Sequence, residues 1–203
     1  MHNPQLWIRD AGEARRIKVP TICIVDTNVF LGVAQIEKIT NENQLRCALE
    51  CVKVLNGIKD NPKKKIVVDM NSETKKSDIL SEYCHKLNPY NGKSLAEIVL
   101  KLLHDENRIV YRKITPQHDN DYVEFPHNRN LSGFDVSDKK FVATSCSQTP
   151  HYPIIQSMDG KWWKWSKPLK EHCVDVLFTN PDYAKDICKR KNRCDGDCLR
   201  CSK

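Results

Sequence analysis

Short apolar runs, separated by longer amphipathic segments, constrain the fold of this chain more than any other feature of its sequence. The runs are rich in β-branched residues, which is typical of strands that are buried on both faces. They lie at 21–25, 65–69, 108–114, 153–156 and 174–178. Strands that alternate with helical segments predict an α/β domain with a central, mainly parallel sheet.

The segments between the runs carry apolar residues every three or four positions, as amphipathic helices do. Helices are predicted at 41–58, 73–87, 94–104, 138–146 and 160–171. A shorter helix is expected directly after the first strand, with Thr27 or Asn28 as its N-cap. The segment 115–133 contains Pro116 and Pro126, several asparagines and few aliphatic residues, which predicts a surface loop. Gating of a pocket or contact with a substrate is the alternative role for this loop.

The two ends of the chain differ in composition from its middle. Residues 1–19 are predicted to be an N-terminal extension, with Leu6, Trp7 and Ile8 docking onto the domain. Residues 20–180 contain all the predicted strands and form the expected domain. Aliphatic residues become scarce after that, so 181–203 are predicted to be a basic, cysteine-rich tail.

The chain is moderately basic, with a formal charge of +7 and a pI of about 8.8, which is compatible with a polyanionic partner. No apolar run approaches the roughly 20 residues of a membrane helix, and no signal-peptide pattern is present, so the prediction is a cytoplasmic protein without a membrane partner. In a reducing compartment, cysteines are expected as thiols or metal ligands. Six of them lie in apolar segments and are predicted to be small buried side chains: Cys23, Cys47, Cys51, Cys84, Cys146 and Cys173.

Acidic residues follow several of the predicted strands. Asp26, Asp69 and Asp159 come after three of the apolar runs, Asp135 and Asp138 precede a helix, and Glu82 lies on one. In open α/β sheets, ligands bind beyond the C-terminal ends of the strands. A divalent cation would relieve the repulsion between such carboxylates and would support phosphodiester hydrolysis by acidifying water. The alternative is that these acids are solvated strand ends.

The segment 24–31, with Asp26, Thr27 and Asn28 after an aliphatic strand, resembles the opening strand and turn of PIN-domain nucleases. Four later segments, 79–83, 133–141, 154–163 and 170–178, resemble the remaining family motifs and occur in the same order. Together these segments span residues 20–180.

The resemblance implies a three-layer α/β/α sandwich and an acidic pocket that binds Mg²⁺ or Mn²⁺. It assigns the metal-binding, catalytic carboxylates to Asp26, Glu82, Asp138 and Asp159. Asp135 is expected either as a further ligand or as support for Asp138. Thr27 would orient Asp26, and Asn28 would support the turn. Asp69 and Asp78 lie outside the motif and are interpreted as solvent-exposed carboxylates.

Short basic clusters flank these acidic segments. Lys75, Lys76, Lys139 and Lys140 are predicted to contact the phosphates of a nucleic acid, with a solvated helix face as the alternative. Trp162, Trp163 and Trp165 could stack on bases, although helical spacing places at least one of them, most simply Trp163, in the core.

The tail carries four closely spaced cysteines, Cys188, Cys194, Cys198 and Cys201. Four thiolates suit a tetrahedral Zn²⁺ site, and the energy of metal binding would fold a segment with so few apolar residues. An iron–sulfur site and a basic tail without metal are the alternatives.

The leading hypothesis is therefore a metal-dependent endonuclease that cleaves single-stranded RNA, with RNA rather than DNA following from the resemblance alone. A catalytically silent PIN-like module that binds RNA or acts as a scaffold through its cysteine tail is the main alternative. A metal-dependent hydrolase of small phosphate esters is less favoured, because no glycine-rich phosphate loop is present. The sequence leaves open whether the chain forms a homodimer or binds another protein.

Overall fold

The computed structural model describes residues 17–87, 94–118 and 121–191. Within these ranges the strands are β1 Ile22–Val25, β2 Lys65–Asn71, β3 Ile109–Ile114, β4 Pro116–Gln117, β5 Asp121–Tyr122, β6 Ile154–Gln156 and β7 Val176–Phe178. Five of them form one parallel sheet in the order β3-β2-β1-β6-β7, while β4 and β5 pair antiparallel outside it. The prediction of an α/β domain with a parallel central sheet is confirmed.

The α-helices in the described ranges are α1 Thr27–Ala34, α2 Glu42–Lys59, α3 Asp78–Leu87, α4 Leu95–Asp105, α5 Lys139–Cys146, α6 Lys161–Glu171 and α7 Pro181–Arg190. Side chains cap several of their N-termini: the Asn41 side chain accepts from the N–H of Gln44, and Ser94 and Glu97 form a capping box. None of the helices in this part of the chain has both the length and the apolar character needed to cross a membrane.

The order of the strands reverses at β1. The chain moves from β1 outward through β2 to β3, then returns to the other side of β1 with β6 and β7. Because parallel crossovers are right-handed, this reversal places the connecting helices of the two halves on opposite faces of the sheet. Helices α1, α2 and α4 contact one another, whereas α5 contacts β2 and β3. The arrangement is compatible with a three-layer sandwich.

The segment 115–133 differs from the predicted surface loop. It contributes the β4–β5 pair, and its Tyr122, Phe125 and Leu131 side chains are buried in the hydrophobic core. The ring of Phe125 lies 5.5 Å from that of Phe134, centroid to centroid. The segment therefore packs onto the domain through its large apolar side chains. The sequence did not predict this packing, because prolines and asparagines dominate the segment.

The domain extends further along the chain at both ends than the sequence predicts. Ile17 and Val19 of the expected extension pack against the core, while Leu6, Trp7 and Ile8 lie outside the described residues. Pro181, where the tail was expected to begin, is the first residue of α7, and this helix contacts α2 and α6. Its two buried residues, Ala184 and Cys188, are four positions apart and face the domain.

The cysteines are only partly buried as predicted. All six outside the tail are free thiols, and Cys23, Cys47 and Cys51 are buried. Cys146 is half-buried, and the prediction is wrong for Cys84 and Cys173, which are exposed. Cys84 lies on the outward side of α3, and Cys173 lies in the turn between α6 and β7.

Candidate metal centre

Asp26 lies at the point where β1 ends and α1 begins. Its Oδ1 atom accepts the backbone N–H of Asn28 at 2.8 Å, so Asp26 itself caps α1, rather than Thr27 or Asn28. Only 1% of Asp26 is exposed. Thr27 is buried as well, and its Oγ1 atom has no hydrogen-bond partner among the described residues. Asn28 contributes its backbone N–H to this turn, and a role for its side chain stays a prediction.

Glu82 reaches the same edge of the sheet from α3. The adjacent Tyr83 is fully buried, and its hydroxyl donates to the carbonyl oxygen of Val25, the last residue of β1. This contact docks α3 beside Asp26. The carboxylate of Glu82 is held by Lys140, whose Nζ atom lies 2.6 Å from Oε2.

Asp135 and Asp138 delimit a single turn of 3₁₀ helix, Val136–Asp138, in front of α5. The Asp135 carboxylate caps this turn, because Oδ1 accepts the backbone N–H of Ser137 at 2.9 Å and its hydroxyl at 2.6 Å. Asp138 ends the turn, and its side chain is only 14% exposed. The geometry therefore gives Asp135 a supporting role toward Asp138.

Asp159 follows β6 on a tight turn. Met158 has a φ of 58°, a left-handed conformation that a residue with a side chain rarely adopts, and this bend directs the following residue back over the sheet edge. The Asp159 Oδ1 atom accepts the backbone N–H of Lys161 at 3.0 Å. A Cβ atom at Gly160 would lie 2.5 Å from the backbone nitrogen of Cys188 in α7, so the turn and this helix touch main chain to main chain.

The sequence reasoning missed Lys161, the first residue of α6. Its Nζ atom lies 2.5 Å from Oδ2 of Asp135, 2.9 Å from Oδ2 of Asp138 and 3.3 Å from Oδ2 of Asp159. The available signal was its position two residues after Asp159, where a helix begins. Lys140 likewise stands two residues after Asp138.

The carboxylates at this edge raise one another's pKa values. Burial raises the pKa of Asp26 well above its usual range, and the charges of Asp138, Glu82 and Asp159 raise it further. Burial also raises the pKa of Asp138, against the opposing effect of Lys161. In the described part of the chain, neither Lys140 nor Lys161 lies within ion-pair distance of Asp26. Asp26 is thus a buried acid surrounded by acids.

Lys161 and Asp135 show the opposite electrostatic behaviour. Hydrogen bonds from Lys161 and Ser137 lower the pKa of Asp135 to about 2. Burial alone would lower the pKa of Lys161, but hydrogen bonds and attraction from Asp135, Asp138 and Asp159 outweigh it and raise that pKa. Lys161 thus forms a strong ion-pair network with Asp135, Asp138 and Asp159. The more deeply buried Asp26 is instead surrounded by negative charge.

The five acids fit a divalent cation by donor type and by charge, although no group of three or more His, Cys, Asp or Glu side chains in the described ranges is already arranged around a metal position. Carboxylate oxygens are the ligands that Mg²⁺ and Mn²⁺ prefer. In this structure the ammonium group of Lys161 stands in for a cation among three of the acids. Two lysines balance five carboxylates only in part, which leaves a deficit of positive charge that a divalent ion would offset.

Asp69 and Asp78 do not join this cluster. Asp69 is fully buried within β2 and accepts from Ser77 Oγ at 2.7 Å and from the N–H groups of Asp78 and Ile79, each at 2.8 Å. The interpretation of Asp69 as a solvent-exposed carboxylate is wrong, because it holds the start of α3. Asp78 is half-buried, and its Oδ2 accepts from the Asn71 side chain at 3.2 Å.

The predicted nucleic-acid lysines divide into two pairs. Lys75 and Lys76 are exposed in the turn after β2, at the same edge of the sheet as the acids. Lys139 and Lys140 instead form internal ion pairs: Lys139 Nζ lies 2.8 Å from Asp121 Oδ2, and Lys140 holds Glu82. A role for any of these lysines in binding nucleic acid stays a prediction.

The tryptophans of α6 serve the core more than the surface. Trp162 and Trp163 are buried, and the ring of Trp162 meets that of Phe134 edge-on, with 5.3 Å between centroids. Trp165 is half-buried and lies 5.8 Å from Phe134. Stacking on a base is therefore closed to the first two in this structure.

A small polar cluster lies behind the turn that carries Asp159. Ser157 Oγ is 2.9 Å from Cys51 Sγ and 3.3 Å from Cys47 Sγ, and Thr179 Oγ1 lies within 3.8 Å of both sulfur atoms. Hydrogen bonds from Cys51, Ser157 and Thr179 lower the pKa of Cys47 to about 6, while burial raises that of Cys51. These two thiols thus hold the loops after β6 and β7, in addition to filling space.

The predicted zinc ligands of the tail fall mostly outside the described residues, where Cys194, Cys198 and Cys201 lie. Cys188 is fully buried in α7 and is disulfide-bonded, so in this structure it differs from the expected free thiol or zinc thiolate. Zinc binding by the tail stays a prediction.

Comparisons with models of protein families, with curated proteins and with solved structures gave no match to this chain.

Proposed function

We propose that this chain is a divalent-metal-dependent endonuclease of the PIN type that hydrolyses phosphodiester bonds, with single-stranded RNA as its substrate. The observation that carries the proposal is the convergence of Asp26, Glu82, Asp138 and Asp159 at one edge of the sheet. They come from four separate elements. The charges of Glu82, Asp138 and Asp159 all act on Asp26, which directly follows β1, the strand at which the strand order reverses. Ligands of open α/β sheets bind at such a reversal.

The internal order of the cluster supports a hydrolytic role. Asp26 is the most buried of the four and has no cationic partner among the described residues, so it would hold the metal together with Asp138 and Asp159. Glu82 lies beside them with Lys140 as its counterion. When bound, Mg²⁺ or Mn²⁺ would supply an acidified water and stabilise negative charge on phosphate oxygens. The protein's part is to orient the carboxylates and shield them from bulk solvent, while the bound cation would favour their ionised form.

Positive charge near the acidic edge supports a polyanionic substrate. Lys75 and Lys76 are exposed at the end of β2 and could position phosphates beside the carboxylates. The choice of RNA over DNA follows from the family resemblance.

The second candidate is a catalytically silent module that binds RNA or a protein. The observation in its favour is that Lys161 and Lys140 already neutralise part of the cluster. An enzyme that has lost its metal would benefit from such internal counterions.

The test is cleavage of labelled single-stranded RNA and DNA by the full-length protein with Mn²⁺ or with EDTA. Wild type is compared with Asp26→Asn and with Asp60→Asn, a control that removes the same charge from the turn between α2 and β2, away from the acidic edge. We expect cleavage to need Mn²⁺, to fall by about 10²–10³-fold or more in Asp26→Asn, and to persist in Asp60→Asn.

Cleavage that survives both EDTA and Asp26→Asn would overturn the proposed chemistry. A folded, Mn²⁺-binding protein that cleaves none of the substrates would instead favour the silent module.

A further inference from the structure

The position of Lys161 at the mouth of the acidic cluster is the starting point. Its Nζ atom lies within 3.3 Å of three carboxylate oxygens, those of Asp135 and Asp138 at the turn before α5 and that of Asp159, two residues before it. The contact with Asp135 is a hydrogen bond, whereas Asp138 Oδ2 is an ion-pair partner without a hydrogen bond among the described residues. The side chain of Lys161 is 21% exposed, whereas Asp26 of the same cluster is only 1% exposed.

The lysine uses the same atoms that a metal would need. Asp138 and Asp159 present their Oδ2 atoms to Lys161, while Oδ1 of Asp159 is taken by a backbone N–H. A divalent cation on these oxygens would lie beside a group of the same sign. Both cations cannot share Asp138 and Asp159 without strong repulsion.

Asp135 offers the lysine a second place. Its carboxylate makes the shortest contact with Nζ, 2.5 Å, and is the most exposed of the three, at 40%. Asp135 is also fastened by Ser137, so it stays in position when the ammonium group moves.

We propose that Lys161 is an internal counterion that competes with the divalent metal for Asp138 and Asp159, and that metal entry drives its ammonium group outward onto Asp135. The inference rests on the proposed metal site and adds a regulatory element to it. Without metal, Lys161 holds the acidic loops together; with metal, its charge moves to the rim of the site. The metal affinity is therefore set by the lysine as well as by the carboxylates.

The test is a calorimetric titration of Mn²⁺ into the metal-free, full-length protein. Lys161→Met and Lys161→Gln are compared with wild type and with Lys167→Met, which removes the same charge from an exposed position of the same helix. We expect both Lys161 variants to bind Mn²⁺ about 10- to 100-fold more tightly than wild type, and Lys167→Met to change the affinity by less than about threefold.

A second readout is thermal melting with EDTA and with saturating Mn²⁺. The metal-free Lys161 variants should melt at a lower temperature than wild type, because the acids lose their counterion. Saturating Mn²⁺ should also raise their melting temperature by more than it raises that of wild type, since tighter binding stabilises the folded state more. Circular dichroism at low temperature confirms that each variant is folded, and Lys161→Gln serves if Lys161→Met does not fold.

Equal or weaker Mn²⁺ binding in the Lys161 variants would overturn the inference, even with cleavage intact. Tighter binding without cleavage of any nucleic acid would overturn the nuclease proposal. It would still support the competition between Lys161 and Mn²⁺ for Asp138 and Asp159. If wild type and the Lys161 variants all fail to bind Mn²⁺ at millimolar concentration, both proposals are wrong.

Discussion

Asp26 and Asp69 are buried aspartates on neighbouring strands, yet their surroundings differ. Asp69 is met by three donors within 2.8 Å, all from the segment that starts α3. Asp26 receives one backbone N–H and otherwise faces other carboxylates. The first is a structural helix anchor whose carboxylate oxygens all have protein donors. The second is surrounded by negative charge, which supports the proposed metal site.

The largest change in stability is expected for Asp69→Asn. The amide group replaces one acceptor oxygen by a donor, so at least one buried N–H or hydroxyl loses its partner. We expect the free energy of unfolding to fall by about 2–3 kcal/mol, measured by urea denaturation in EDTA with an unchanged m-value. Cleavage per folded molecule should remain. A stability equal to wild type would contradict the role of Asp69 as the anchor of α3.

Asp26→Asn should behave in the opposite way. Asparagine keeps the oxygen that caps α1 and removes a buried negative charge from among Asp138, Glu82 and Asp159. We expect the metal-free free energy of unfolding to be unchanged or to rise by up to about 1 kcal/mol in the same denaturation experiment. A loss as large as that of Asp69→Asn would make Asp26 a structural residue and remove the contrast between the two sites.

The smallest effect is expected for Asp78→Asn. Asp78 is next to the Asp69 anchor, but its side chain is partly exposed and its hydrogen bonds within the described ranges are long, 3.2 Å with Asn71 and 3.4 Å with Tyr122. We expect a change within about 0.5 kcal/mol. A large loss here would show that the whole turn, and not the Asp69 carboxylate, stabilises α3.

The comparison also explains what the sequence could and could not predict. The strands were predictable because their residues are continuously apolar, and Ile24, Val67 and Ile155 are indeed fully buried. The convergence of the acids at one edge was predictable because the C-terminal ends of parallel strands lie at the same edge of a sheet. Both are consequences of chain-local patterns and general rules of topology.

Asp26 and Asp69 could not be told apart by such patterns, since each follows an apolar run. The difference depends on Ser77, eight residues beyond Asp69, which the local pattern does not contain. Lys161 was missed for a similar reason. Two of its partners, Asp135 and Asp138, lie more than 20 residues earlier in the chain and meet it only in the folded protein, and a lysine at a helix start is most often solvated.

The close approach of Gly160 to α7 has a consequence for the length of the smallest folding unit. Main chain meets main chain there, so no side chain can fill the gap if the helix is missing. A truncation that stops before Pro181 would remove the wall behind the turn that carries Asp159 and Lys161. A fragment with an intact acidic edge therefore has to extend through Arg190, even though its last ten residues look in sequence like a dispensable tail.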